Sequence, residues 1–155
     1  MAEAKDANIK VVALNNLAML LVQGGETEKA EASVRDAIAL AENANLIDTL
    51  AIVLEAQGNK QQAIDLLNLK IKEYAADVNL RVRLARLLMD ADQLDAASEV
   101  MKAISSMATS ESVDYATWKQ IRELRLRQSA MEEEAEASRE AESSAESNAA
   151  APVVE

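Results

Sequence analysis

One pattern recurs three times in this chain at a spacing of 33 to 34 residues. Leu17-Ala18, Leu50-Ala51 and Leu84-Ala85 each open the same series of residues. A Leu follows four positions after the first (Leu21, Leu54, Leu88), then a turn residue (Gly25, Gly58, Asp92). An Ala comes next (Ala30, Ala63, Ala97), and four positions later a large apolar side chain (Val34, Leu67, Met101). A period of this length marks a stacked array of helical hairpins, in which each unit buries its apolar face on its neighbours. Such arrays present surface to other chains and seldom carry chemistry of their own.

Each unit shows helical periodicity twice. Leu14, Leu17, Ala18 and Leu21 fall at i, i+3, i+4 and i+7, one stripe of a helix. Gly24-Gly25 ends that helix, and Thr27 is expected to cap the next, which carries Ala30, Val34, Ala37 and Ile38 on one face. The hairpin recurs as 44–57 with 60–74 and as 78–90 with 93–106. Ala18, Ala51 and Ala85 in the first helices, with Ala30, Ala63 and Ala97 in the second, allow close helix crossings. A single coiled coil is excluded because the period resets at Gly25 and Gly58. Composition agrees: Phe is absent, Tyr74, Tyr115 and Trp118 are the only aromatics, and Gly and Pro are scarce. The expected fold is all-α, an array of three helical hairpins with a C-terminal capping helix.

The spacing resembles the tetratricopeptide repeat (TPR), a helix–turn–helix unit of 34 residues. With 11–43, 44–77 and 78–111 as repeats, both Leu, both Ala and the late large residue of the pattern are met in all three. The terminal Pro of the family is replaced by Glu42, Ala75 and Thr109, the third Gly by Asp92, and a usual Ala by Lys70. Residues 1–10 are an extension or the start of the first helix. The stretches Leu14–Ala18, Asp48–Ala51 and Asn79–Ala85 also resemble the last repeats of large bacterial TPR proteins of the PEP-CTERM and exopolysaccharide-export systems, although Met19 and Ile52 stand where an aromatic is common. That likeness implies a structural assembly subunit or the terminal segment of an export complex as an alternative role.

The TPR resemblance implies a right-handed α-α superhelix with a concave groove lined by the first helices, and with it a site for a peptide or partner helix. It projects onto Val12, Asn15, Met19, Val22 and Gln23 of the first repeat. From the second it takes Asn45, Asp48, Ile52, Glu55 and Ala56, and from the third Asn79, Val82, Arg83, Arg86, Met89 and Asp90. The row Met19–Ile52–Arg86 runs from apolar to cationic, and Asn15–Asp48–Val82 offers side chains to a peptide backbone. The plainer alternative is a set of ordinary half-exposed helix residues. A clamp for a C-terminal carboxylate is not met, since Arg83 alone matches it.

A helix is expected from Ser112, its cap, to Met131. Tyr115, Trp118, Ile121 and Leu124 recur on it at helical intervals, the two aromatics as expected anchors, among Lys119, Arg122, Arg125 and Arg127. It reads as a cap over the third repeat, with a basic partner or nucleic-acid helix as the rival. Residues 132–155 hold eight acids and one base, a net of −7 against −11 for the whole chain. That Ala/Glu/Ser-rich tail is expected to extend the helix for a few turns and to be disordered past Glu142, either solvated or lying as a lid over Arg81, Arg83 and Arg86. The basic residues of the preceding helix are its expected partners.

Enzymatic function is not expected. The chain has no His, no Cys and no Gly-rich phosphate loop. Asp90, Asp92 and Asp95 are read as turn and cap acids ahead of a divalent-cation site, so no metal or cofactor is expected. The acidity argues against nucleic acid as a partner. Met1–Lys10 holds no signal-peptide core and no 18-residue apolar run occurs, so the expected chain is soluble and cytoplasmic by default, or periplasmic as a piece of an export-system protein. Another protein or peptide is the expected partner, with self-association possible.

Overall fold

The computed structural model describes residues 2–108 and 113–149, and within them every regular element is an α-helix. The helices are α1 (Ala2–Gln23), α2 (Thr27–Leu40), α3 (Ala44–Ala56), α4 (Lys60–Glu73), α5 (Val78–Met89), α6 (Leu94–Met107) and α7 (Tyr115–Ala149). They form hairpins α1/α2, α3/α4 and α5/α6, with α7 laid on the last. α1, α3, α5 and α7 stand side by side as an inner layer, and α2, α4 and α6 back them as an outer one.

The turns and crossings follow from the repeated residues. Gly25, Gly58 and Asp92 take positive φ of 77°, 79° and 55°. At each turn the next amide reaches back over the helix end: Glu26 N–H to Leu21 O, Asn59 to Leu54 and Gln93 to Leu88, at 2.8–2.9 Å. Asp92 holds the left-handed conformation that the two glycines hold elsewhere. All six marker alanines are completely buried, with Val34 and Leu67 beside them and Met101 at 2 % exposure. A larger side chain at any of those crossings would push two helices apart.

Capping differs between the layers. Asn43 and Asp77 each accept the amide N–H three residues on, at Leu46 and Leu80, and Asp114 does so at Thr117. The second helices have no side-chain cap, and Thr27 lies inside α2 behind Glu26, contrary to the expected capping role. Ser112 lies outside the described residues; α7 starts at Tyr115 behind Asp114. Asp114 follows Asp77 by 37 residues (114 − 77), which sets Ile121 and Leu124 where α5 has Leu84 and Leu87. Ile121 and Leu124 are buried in consequence, together with Thr117.

The aromatic residues expected to anchor this helix do not. Tyr115 is 77 % exposed and Trp118 38 %, the two stacking on each other at 6.2 Å with the Arg122 guanidinium over the indole. The helix also runs past Glu142 to Ala149, since Ala and Glu favour helix by intrinsic propensity.

Candidate functional site

The inner layer is built from three seams, and each uses a different chemistry. α1 packs against α3; on it Val22 is half-buried against the core, and Asn15 Oδ1 is buried and accepts no hydrogen bond. Between α3 and α5 the seam is ionic. Arg83 forks onto Asp48 through Nε–Oδ1 and Nη2–Oδ2, the latter at 2.8 Å, and Arg86 forks onto Glu55 at 2.9 and 2.6 Å. Both are bidentate pairs, the geometry that suits a guanidinium to a carboxylate. Between α5 and α7 the buried side chains are apolar, with Thr117 Oγ1 donating to Asn79 Oδ1 at 2.9 Å.

The charges form a relay across three helices. Asp90 lies 3.7 Å from Arg86 and accepts from Arg127 of α7 at 2.5 Å, while its backbone oxygen accepts from Lys60 at 2.6 Å. The Glu55 carboxylate raises the Arg86 pKa above its usual value. Arg127 thus points back to the third repeat, and Arg125 does likewise through Ser105 Oγ at 3.1 Å, instead of meeting the acidic segment. Arg83 and Arg86 are already paired, and the described part of the acidic segment runs beside α6, where Glu132 accepts from Gln128 and Ser98. Those two hydrogen bonds hold its carboxyl below the ordinary range. A lid over the arginines is therefore not formed by the described residues.

A cleft of about 460 Å³ opens on the inner layer where α3, α5 and α7 meet. Asp48, Asn79, Val82, Arg83 and Arg86 line it together with Gln120, Glu123, Leu124 and Arg127 of α7. Four residues projected as groove positions (Asp48, Asn79, Arg83, Arg86) thus converge there. Asn15, Met19, Val22, Ile52 and Glu55 are half-buried, and Asn45 is exposed, outside this cleft. Met89 is a correction: it is 1 % exposed, and Val82, seven residues before it on the same flank, is 4 % exposed. α7 packs against α5; Val82 still lines the cleft, whereas Met89 lies outside it and is not open in a groove. The α7 residues were missed by projection from three repeats; the recurrence of an Asx residue at Asn43, Asp77 and Asp114 was the signal that would have set α7 in register as a fourth inner helix.

Lys70, at a position usually held by Ala, makes the outer contact between the first two repeats. Its ammonium bridges Glu42 at 2.8 Å and Glu73 at 2.7 Å, and Tyr74 Oη donates to Glu42 at 3.0 Å. The two carboxylates raise the Lys70 pKa, and the Lys70 hydrogen bond leads those that lower Glu42. Among the described residues no group of three or more acids is placed to hold a metal ion, and no helix is long and apolar enough to cross a membrane.

A tetratricopeptide repeat family model matches residues 11–45, the first hairpin and the turn into α3. The chain has the fold of a tetratricopeptide-repeat solenoid. Solved TPR-like structures superpose over most of it. The Yersinia enterocolitica type III secretion translocator chaperone SycD gives a TM-score of 0.70 at 15 % identity, covering 83 % of this chain and 88 % of that one. PcrH from Pseudomonas aeruginosa gives 0.66 at 15 % identity, covering 78 % and 90 %. SycD in complex with a peptide of the translocator YopD gives 0.58 at 15 % identity, covering 74 % and 92 %. No curated protein matches the chain by sequence. At these identities the likeness is one of fold.

Proposed function

We propose that this TPR solenoid is a non-catalytic interaction module that takes a peptide or partner helix along its concave face. The observation that carries the reading is the cleft of about 460 Å³ between α3, α5 and α7, where apolar Val82 and Leu124 lie among oriented polar groups. Two apolar side chains stand there among seven polar or charged ones, and a recess that joins apolar surface to fixed hydrogen-bonding groups suits a ligand. Met19 and Ile52, half-buried on α1 and α3, are further apolar side chains at projected groove positions. The SycD complex with a YopD peptide supports the reading, as a similar fold solved with a peptide.

The ionic seam narrows the ligand. Arg83 and Arg86 already hold carboxylates, so a ligand charge would have to displace an internal partner. Apolar anchors and backbone hydrogen bonds are the favoured contacts, in place of a charge of either sign.

A displayed peptide library selected on the wild-type chain tests this. Gln120→Trp fills the cleft without touching an ion pair and is expected to weaken selected peptides at least tenfold. Leu69→Glu on the outer layer is expected to leave them unchanged. Peptides indifferent to Gln120→Trp would move the working surface elsewhere.

A further inference from the structure

The outward flank of α1 is an apolar stripe that no described element covers. Ile9 is 59 % exposed, Leu17 45 % and Leu20 63 %, with exposed Ala13 and Asn16 between them. The same positions in the later repeats are core. Ala13 corresponds to Leu46 and Leu80, Leu17 to Leu50 and Leu84, and Leu20 to Val53 and Leu87; none of these six counterparts is more than 4 % exposed. In each case the second helix of the preceding hairpin, α2 or α4, lies against them.

We propose that this flank is a self-association surface, where two copies pair α1 against α1, antiparallel, about a twofold axis level with the Leu14–Asn15 bond. A second copy has no second helix to offer, because its α2, α4 and α6 already lie against α3, α5 and α7. Its matching unpartnered flank is α1 itself, as an isologous contact requires.

The stripe is self-complementary on reversal. Ile9, Ala13, Asn16 and Leu20 are spaced by four, three and four residues, a two-helix seam. About that axis Ile9 of each copy comes level with Leu20 of the other, and Ala13 with Asn16. The small Ala13 permits close approach, and the two Asn16 amides meet near the axis, where a polar residue specifies register.

Charge favours the same arrangement. From residue 6 on, α1 carries Lys10 against Asp6, a net of zero, in a chain of net −11. The acidic α7 packs on α5 and α6, so pairing through α1 joins neutral surfaces and leaves the acidic segments at the far ends. A seam from residue 9 to residue 20 spans about 17 Å at the helical rise of about 1.5 Å per residue, so the interface is small and the dimer reversible.

Sedimentation equilibrium of the full chain across the micromolar range tests this. The expected result is a shift from the 16.7 kDa monomer toward twice that mass. Leu20→Glu and Ile9→Lys, checked for unchanged helicity, are each expected to raise the dissociation constant at least tenfold, whereas Leu69→Glu and the cleft variant Gln120→Trp leave it unchanged. The chain lacks Cys, so Gln23→Cys takes a single spin label per copy. Antiparallel pairing puts the labelled positions about 26 Å apart along the axis, and parallel pairing puts them about 10 Å apart. A monomer at every concentration, a dimer indifferent to both α1 variants, or the short label distance would each overturn the proposal. Because Gln120→Trp probes the peptide cleft alone, failure of the cleft reading leaves this outcome readable by itself.

Discussion

The two ends of the solenoid carry the same inner-helix positions in opposite states. At the C-terminal end α7 buries Ile121 and Leu124 against the third hairpin, in the places where α5 holds Leu84 and Leu87. At the N-terminal end Leu17 and Leu20 occupy those same places and are wet. Composition does not separate them, because Leu17 and Leu84 are the same residue in the same local pattern. The presence of a preceding second helix does. A terminal unit stays soluble when its free face is polar, and α7 meets that condition in part, with Arg122 and Arg125 exposed there beside Tyr115, Trp118 and Leu126. Aligned through the caps Asp77 and Asp114, Ala85 corresponds to Arg122 and Leu88 to Arg125, so the face of α7 that would take another second helix is cationic. α1 has no such substitution.

The sharpest way to break this comparison is to truncate the equivalent leucines. Leu84→Ala is expected to cost about 2–5 kcal/mol through lost burial and a residual cavity. Leu17→Ala, already about half exposed, is expected to cost less than about 1 kcal/mol. Urea unfolding at low micromolar concentration measures both, and equal losses would mean that the ends do not differ.

A charge placed under the cap comes next. Ile121→Asp sets a carboxylate where only 3 % of the side chain is exposed, with an expected cost of about 2–3 kcal/mol. Hydrogen exchange should show protection falling first in α5, α6 and the first turns of α7. Uniform loss over α1–α4 would contradict a cap that acts on its nearest neighbours. Arg122→Ala, on the outward face of the same helix, is expected to change stability by less than about 0.5 kcal/mol.

The ionic seam between the ends should contribute less. Asp48 and Arg83 are both roughly four-fifths buried, and a double-mutant cycle to Ala is expected to return a coupling of about 1 kcal/mol. Most of it should persist in molar salt, because a pair shielded from solvent is screened less than an exposed one.

The smallest effect is pH-dependent and belongs to the contact at Lys70. Glu42 has a folded pKa below its ordinary value, chiefly through the Lys70 hydrogen bond, so it binds its proton less readily folded than unfolded. Its contribution is therefore complete above the ordinary carboxylate range and is lost as pH falls through the depressed value. With more than a third of the Glu42 side chain exposed, screening limits the effect to a few tenths of a kcal/mol. The gap in Tm between wild type and Glu42→Gln should be widest near neutrality and close below about pH 3. A gap that widens in acid would reverse the assigned sign.

Much of the architecture was legible in the residues. Gly25, Gly58 and Asp92 marked the turns, and the paired alanines marked the crossings, because those features act within one hairpin or between adjacent ones. The site was legible only in part. Asp48, Asn79, Arg83 and Arg86 were recognisable as inner-face positions, but their pairing was not. Each partner sits 31 to 38 residues away, as for Arg86 with Glu55 and Thr117 with Asn79, and helical spacing carries no information about a neighbour in the next repeat. Met89 was misplaced for the same reason, since its burial depends on the register of α7. The aromatic residues misled because size suggested an anchor, while Asp114 sets a register that turns Tyr115 and Trp118 outward.

By itself the sequence determined the helical hairpin, its period, its turns and the closeness of its crossings. Those depend on backbone conformation and on small side chains at fixed intervals, which any copy of the pattern reproduces. Only the tertiary structure decided which copies of a shared position are buried, which arginines are spoken for, and where the inner layer opens into a cleft. Burial and ion pairing are properties of neighbours, and in a one-dimensional stack the neighbours differ at the ends even where the residues do not.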